Sequence, residues 1–193
     1  MHHIYHTKGI ILESRNFGEA GKYYSIFTRD LGLVHARAQG VRKMSSKLRF
    51  VLQNFAYLKM DLVAGRDIFR VTNASKTNML EKITKQPETL AVFANIARLL
   101  KRLLAGVEPN EALFIDLVQG LTILEKAEKK EDLRNIEAII VLRIVNNLGY
   151  IGAHNILKTF IRSPFEESII FEVSKNRKTI LSEINKALKE THL

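Results

Sequence analysis

The first two-fifths of the chain alternates apolar with polar residues, and the remainder places apolar residues three and four apart. Thr7 to Phe17 alternates around Ile10, Ile11 and Leu12 and predicts a strand, with a turn at Asn16-Phe17-Gly18-Glu19. Lys22 to Thr28 predicts a second strand, in which Tyr23, Ser25 and Phe27 face away from Tyr24 and Ile26. Asp30-Leu31-Gly32 is a hairpin connection, and Leu33 to Val41 predicts a third strand. Between Met44 and Gln53 the period changes, because Leu48, Val51 and Leu52 stand at helical spacing. Phe55 to Val63 and Ile68 to Ala74 predict two further strands around a turn at Ala64-Gly65-Arg66-Asp67.

Three strands, a helical link and two more strands within about 75 residues match a five-stranded OB barrel, a fold that binds oligonucleotides on one face. Periodicity alone also allows an SH3-like barrel, and the helical link favours the OB order. From Met79 onward the chain reads as helices. Pro87-Glu88 starts one, with Leu90, Phe93, Ile96, Ala97, Leu100 and Leu104 as its stripe, ending at Gly106. Pro109-Asn110-Glu111 opens a second that carries its stripe to Leu124, and the charged stretch after it leaves the next break unplaced. Leu133 to Leu148 is apolar on nearly every side at Ile139-Ile140-Val141-Leu142, as expected of a central helix. Ser163-Pro164 predicts a turn, Ile169 to Val173 a short strand, and Thr179 to Lys189 a closing helix. The expected fold class is therefore α+β. An OB-fold barrel over residues 1–77 precedes an α-helical domain over 78–193.

Charge sharpens this picture. The net charge is +10, and residues 1–77 hold 13 Lys/Arg against 5 Asp/Glu, whereas 78–193 hold 17 against 15. The excess thus falls on the predicted barrel, which suits a polyanion. It concentrates in Arg42, Lys43, Lys47 and Arg49, with Ser45 and Ser46 as short donors between them. Arg37 and Lys22 are further candidates for phosphate contact. Aromatic rings crowd the same region at Phe17, Tyr23, Tyr24, Phe27, Phe50, Phe55, Tyr57 and Phe69. More than half should fill the core, and one of Tyr23 and Tyr24 should point outward.

Catalytic signals are weak. The chain has no Cys, so thiolate zinc sites and disulfides are excluded. His2, His3 and His6 crowd the N-terminus, where fraying is expected rather than a metal site, and no His pair has helical ligand spacing. There is no Walker A, G-x-G-x-x-G or G-x-S-x-G sequence. Ser46-Lys47 has no partner for a Ser–Lys hydrolase. No apolar run approaches the roughly 20 residues that span a bilayer. The expectation is a cytoplasmic, non-catalytic protein without cofactor or metal. In the helical part, Arg98, Lys101 and Arg102 form a basic group on one helix face, a candidate for contact with a partner's acidic group. Arg143 is a lone charge in an apolar helix, where a guanidinium either snorkels, pairs with a buried carboxylate or binds a partner's acidic group.

The chain resembles the RecO family of bacterial recombination mediators. The likeness runs through Gly9-Ile10-Ile11-Leu12, Phe17-Gly18-Glu19-Ala20, Phe27-Thr28-Arg29-Asp30-Leu31-Gly32, Ala38-Gln39-Gly40-Val41-Arg42-Lys43, Ser46-Lys47-Leu48-Arg49 and Leu52-Gln53-Asn54-Phe55. It returns at Leu142-Arg143 and Leu148-Gly149-Tyr150. The resemblance implies binding of single- and double-stranded DNA and annealing of complementary strands without catalytic turnover. It also implies loading of RecA with the partner RecR, and contact between the helical domain and the acidic tail of single-strand binding protein. Three features depart from the family pattern. Gly21 stands where an Asp is usual and Asn54 where a Pro is usual, and the four zinc-binding Cys that many members carry after Leu-Gly-Tyr are absent. Two other functions fit the composition: an OB-fold RNA-binding factor associated with ribosomes or tRNA, and a non-catalytic protein adaptor.

Overall fold

The computed structural model describes residues 3–104, 106, 108–152 and 155–190. Five strands come first: β1 (Ile4–Phe17), β2 (Gly21–Thr28), β3 (Gly32–Ala38), β4 (Tyr57–Val63) and β5 (Phe69–Lys76), with a 3-10 turn over Lys47–Phe50 between β3 and β4. They close into a barrel in the order β1-β2-β3-β5-β4, antiparallel except where β3 meets β5 in parallel. This is the OB-fold barrel. Closure depends on the length of β1, whose first half pairs with β4 and whose second half pairs with β2. A register shift between Ile11 and Glu13 lets Ile10, Ile11 and Leu12 all be buried in succession.

Five helices follow among the described residues: α1 (Pro87–Leu103), α2 (Glu111–Lys126), α3 (Lys130–Asn147), α4 (Asn155–Arg162) and α5 (Glu167–Glu190). The chain forms two compact units. One comprises Met1–Glu81 with Ala97–Phe114, the other Lys82–Ile96 with Ile115–Leu193.

In the barrel unit, alternation puts Ile11, Tyr24, Ile26, Val34, Ala36, Leu58, Met60, Leu62 and Val71 inside, and Val41 and Leu52 join the same cluster. Phe27 and Tyr57 lie on the outer wall. They are covered by Phe114, whose ring centroid lies 5.4 Å and 6.0 Å from theirs. Arg29 pairs with Glu111 beside this contact. The β2–β3 turn needs a glycine. Gly32 has φ +70° and its α-carbon lies against the backbone of Glu108, so a Cβ there would collide with that backbone. Thr28 completes the turn, its Oγ1 donating to the Gly32 carbonyl at 2.9 Å and accepting from the Leu31 amide at 3.1 Å.

In the second unit α3 packs against α4 and α5 and buries residues on most of its circumference, as its sequence predicts. Two expectations are corrected. Ile169 to Val173 is not a strand but the start of α5, because Ile169, Ile170, Val173, Ile180, Ile184 and Ala187 form one buried stripe at helical spacing. The adjacent β-branched residues imitate a strand only when read locally. The N-terminus is not frayed at His6, which lies in β1 with Nδ1 2.7 Å from Asp61 Oδ1. His2 lies outside the described residues.

Candidate nucleic-acid interface

The basic run is a built loop. It leaves β3 at Ala38 and turns at Gly40, which has φ +67°. Its path is held by amide donation from Arg42 to the Ala20 carbonyl (2.9 Å), Lys43 to Gly40 (3.0 Å) and Ser46 to Lys43 (3.1 Å). Val41 and Leu52 are buried against the barrel and Leu48 is half-buried. Apolar residues thus pin both ends of the loop, which leaves Arg42, Lys43 and Lys47 exposed and Arg49 half-buried.

Three predicted phosphate contacts come together. Lys22, Arg42 and Arg49 line one cleft of about 420 Å³ with Asn16 and Gln53, and none of its lining residues is acidic. Lys22 comes from the start of β2, beside Asn16 in the register of β1. Arg42 is steered by a 3.4 Å contact from Nη1 to the Gly18 carbonyl. Arg49 Nη1 donates to the Met44 sulfur, and the Gln53 amide Nε2 donates to the Arg49 carbonyl. Lys43 and Lys47 belong to the same loop but do not line the cleft.

Arg37 belongs to a different array. The register aligns Arg15 with Tyr23, Tyr23 with Arg37, and Arg37 with Arg70, so one row crosses β1, β2, β3 and β5. Directly opposed residues share a face. This is the outer face, since the neighbouring Tyr24 and Ala36 are buried inside. Neighbouring strands lie about 4.8 Å apart, so the row extends roughly 15 Å across the wall. It sets Arg15 and Arg37 on the strands to either side of Tyr23 with Arg70 one strand further, and the Tyr23 ring centroid is 4.4 Å from that of Phe17. Fixed cations beside rings provide for phosphate and base respectively.

Nearby, Ser25 Oγ lies 3.4 Å from His35 Nδ1 in a recess also lined by Glu13. The Glu13 carboxylate instead takes a 2.8 Å hydrogen bond from Lys101 Nζ, which holds its pKa below the usual 4.5. That ion pair directs the Glu13 carboxylate to Lys101. Among the described residues no group of three His, Asp or Glu side chains is placed to hold a metal ion.

A family model described as Recombination protein O N terminal matches residues 1–79, and one described as Recombination protein O C terminal matches residues 84–151. The chain belongs to the RecO family. Among its relatives, the DNA repair protein RecO of Rubrobacter xylanophilus is 31% identical over 147 residues, covering 76% of this chain and 58% of that protein. The DNA repair protein RecO of Pelotomaculum thermopropionicum is 28% identical over 147 residues, 76% of this chain and 56% of its own length. That of Desulforamulus reducens is 30% identical over 135 residues, 70% and 53% respectively. The matches therefore span a little over half the length of these RecO relatives.

The helical candidates of this RecO-family chain divide by environment. Arg98 and Arg102 are exposed on α1, and Lys101 between them is tied to Glu13. Arg143 is 3% exposed and engaged within its own unit. Its Nε donates to the Phe160 carbonyl at 3.0 Å, Nη1 to Asp116 Oδ1 at 3.3 Å, and Nη2 to the Ser163 carbonyl. The Phe165 ring lies 4.1 Å from the guanidinium carbon. Burial lowers the pKa of Arg143 and Asp116 opposes that shift. Its surroundings make it a strut between α3, α2 and the end of α4, not a surface contact. No described helix is long and apolar enough to cross a membrane. The sequence reading missed Arg15 and Arg70, which only strand register reveals, and Asn16 and Gln53, whose polarity is unremarkable in isolation.

Proposed function

We propose that this chain is a DNA-binding mediator of recombinational DNA repair, non-catalytic, with the barrel of residues 1–77 as its nucleic-acid-binding domain. It binds single- and double-stranded DNA and anneals complementary strands. With RecR it assists the loading of RecA onto strands coated by single-strand binding protein. The observation that carries the proposal is the convergence of Lys22, Arg42 and Arg49, from segments separated in sequence, on one cleft without an acidic lining residue. Such convergence is what phosphate recognition requires and what a merely solvated basic loop lacks. The Arg15–Tyr23–Arg37–Arg70 row supports it with a second cationic track. Lys43 and Lys47 add long-range attraction from the exposed loop. Arg98 and Arg102, with Lys101 beside them, are the surface offered to the acidic tail of single-strand binding protein.

The test is an Arg42/Lys43/Lys47/Arg49→Ala variant, compared with wild type in oligonucleotide binding and in annealing of coated complementary strands. Each phosphate contact contributes about 0.7 to the slope of log affinity against log salt on single strands. Loss of the two cleft cations Arg42 and Arg49 lowers that slope by about 1.4, loss of the attraction from Lys43 and Lys47 takes the drop to at most about 3, and binding weakens on all sequences alike. A folded variant that binds and anneals as wild type does refutes the assignment. A matched RNA strand competing better than DNA would transfer the site to RNA.

A further inference from the structure

Phosphate recognition does not account for Phe50. The 3-10 turn directs Leu48 toward the barrel, and Leu52 just beyond it is buried, which leaves Phe50 on the outer side, 69% exposed. Met44, six residues earlier, is 83% exposed, and these are the two most exposed large apolar side chains among the described residues. One exposed apolar residue is ordinary on a protein surface. Here two flank a single guanidinium: Arg49 donates to the Met44 sulfur and its Cζ lies 5.6 Å from the centre of the Phe50 ring. The ring stands within a run of four cations, one of which is in contact with it.

We propose that Phe50 is a platform on which an unpaired base stacks, so that this loop distinguishes single-stranded from duplex DNA. The inference rests on the DNA-binding proposal above and adds selectivity to it. A base is tethered to its phosphate, so a ring set among phosphate-binding cations meets bases whenever the cations are occupied. Every base has a π-face, and the contact is therefore tolerant of sequence. In a duplex both faces of each base are already stacked, and Phe50 has nothing to receive without unstacking a step. Phe17 and Tyr23 are less suited, because each ring partly covers the other and Phe17 is only 40% exposed.

The experiment compares wild type, Phe50→Ala and Phe50→Trp, by fluorescence anisotropy on a single strand and on a duplex of the same sequence. Salt is varied, and circular dichroism confirms the fold. Phe50→Ala is expected to weaken single-strand binding by ~5- to 100-fold while leaving the duplex within about 2-fold. Its salt slope stays at the wild-type value, since no phosphate contact is lost. Phe50→Trp restores single-strand affinity. A 2-aminopurine base in the strand is quenched by wild type and not by Phe50→Ala. If Phe50→Ala binds the single strand as wild type does, or loses equally on both polymers, the platform is refuted while DNA binding stands. If wild type binds neither polymer, both proposals fail.

Discussion

Arg143→Met tests whether the most deeply buried charge among the described residues is a structural strut. The substitution removes a guanidinium that serves three acceptors, the Asp116 carboxylate and the carbonyls of Phe160 and Ser163. Each carbonyl left without a donor in a buried position costs about 1–3 kcal/mol. Asp116 loses less, because Asn147 Nδ2 still donates to its Oδ2 at 2.9 Å. The two carbonyls together amount to roughly 2–6 kcal/mol, consistent with the ~3–5 kcal/mol typical of breaking one side of a buried pair. Met restores part of the apolar packing of the arginine stem, so the expected net loss is about 3 kcal/mol. In a chain of 193 residues, at roughly 2–4 °C per kcal/mol, this lowers Tm by about 6–12 °C. Thermal unfolding followed by circular dichroism measures the shift. Arg143→Lys should recover only part of it, since one ammonium cannot reproduce a planar fork aimed at three acceptors. A Met variant with unchanged Tm that fails to capture an acidic partner peptide would refute the strut and restore Arg143 as a recognition residue.

Two further outcomes follow from the barrel unit. Gly32→Ala forces a side chain into a backbone at φ +70° that already lies against Glu108, and should cost at least about 1–2 kcal/mol in denaturant unfolding. An unchanged midpoint would contradict the close approach. Tyr24 is 1% exposed, its hydroxyl has no hydrogen-bond partner, and burial pushes its pKa up to about 12. Ultraviolet titration should therefore show one tyrosine ionising near pH 12. Because the folded value is raised above the ordinary 10, the linked stability is fully present below pH 10 and is lost as pH rises through about 12. Tyr24→Phe removes the unsatisfied hydroxyl, so it should leave stability unchanged or raised by up to about 1 kcal/mol and abolish that late titration. A clear loss of stability would mean the hydroxyl has a partner.

The barrel was legible because alternation in a strand carries its own test: Tyr23 and Tyr24 must face opposite ways, and they do. The change of period at Leu48, Val51 and Leu52 favoured an OB over an SH3-like sequence of elements, whereas the order of strands around the barrel comes from their pairing. Local pattern failed where tertiary packing overrides it. Ile169, Ile170 and Val173 look like a strand until Ile180, Ile184 and Ala187 are counted with them as one helical stripe. For Arg143 the pattern left a buried carboxylate and an outside partner as alternatives, because an apolar helix shows neither Asp116 on α2 nor the carbonyls at the end of α4 that receive the guanidinium.

The candidate site divides along the same line. A cluster contiguous in sequence, Arg42 to Arg49, is visible to counting, yet contiguity overstates its unity: Arg42 and Arg49 turn to the cleft with Lys22, and Lys43 and Lys47 do not. The outer row has the opposite character. Arg15, Tyr23, Arg37 and Arg70 are scattered over 56 positions, and the last joins only through the parallel pairing of β3 with β5 that closes the barrel. No window of sequence contains them, whereas register places them side by side. The two arrays also respond differently to perturbation. Arg42 and Arg49 hang on a loop whose path depends on Gly40, Val41 and Leu52, so damage to that loop should part them from Lys22 on β2 and spare the row. The row depends on strand register, and the basic loop joins β3 to β4, which do not pair with each other, so binding that survives loss of the loop measures what the barrel wall contributes by itself.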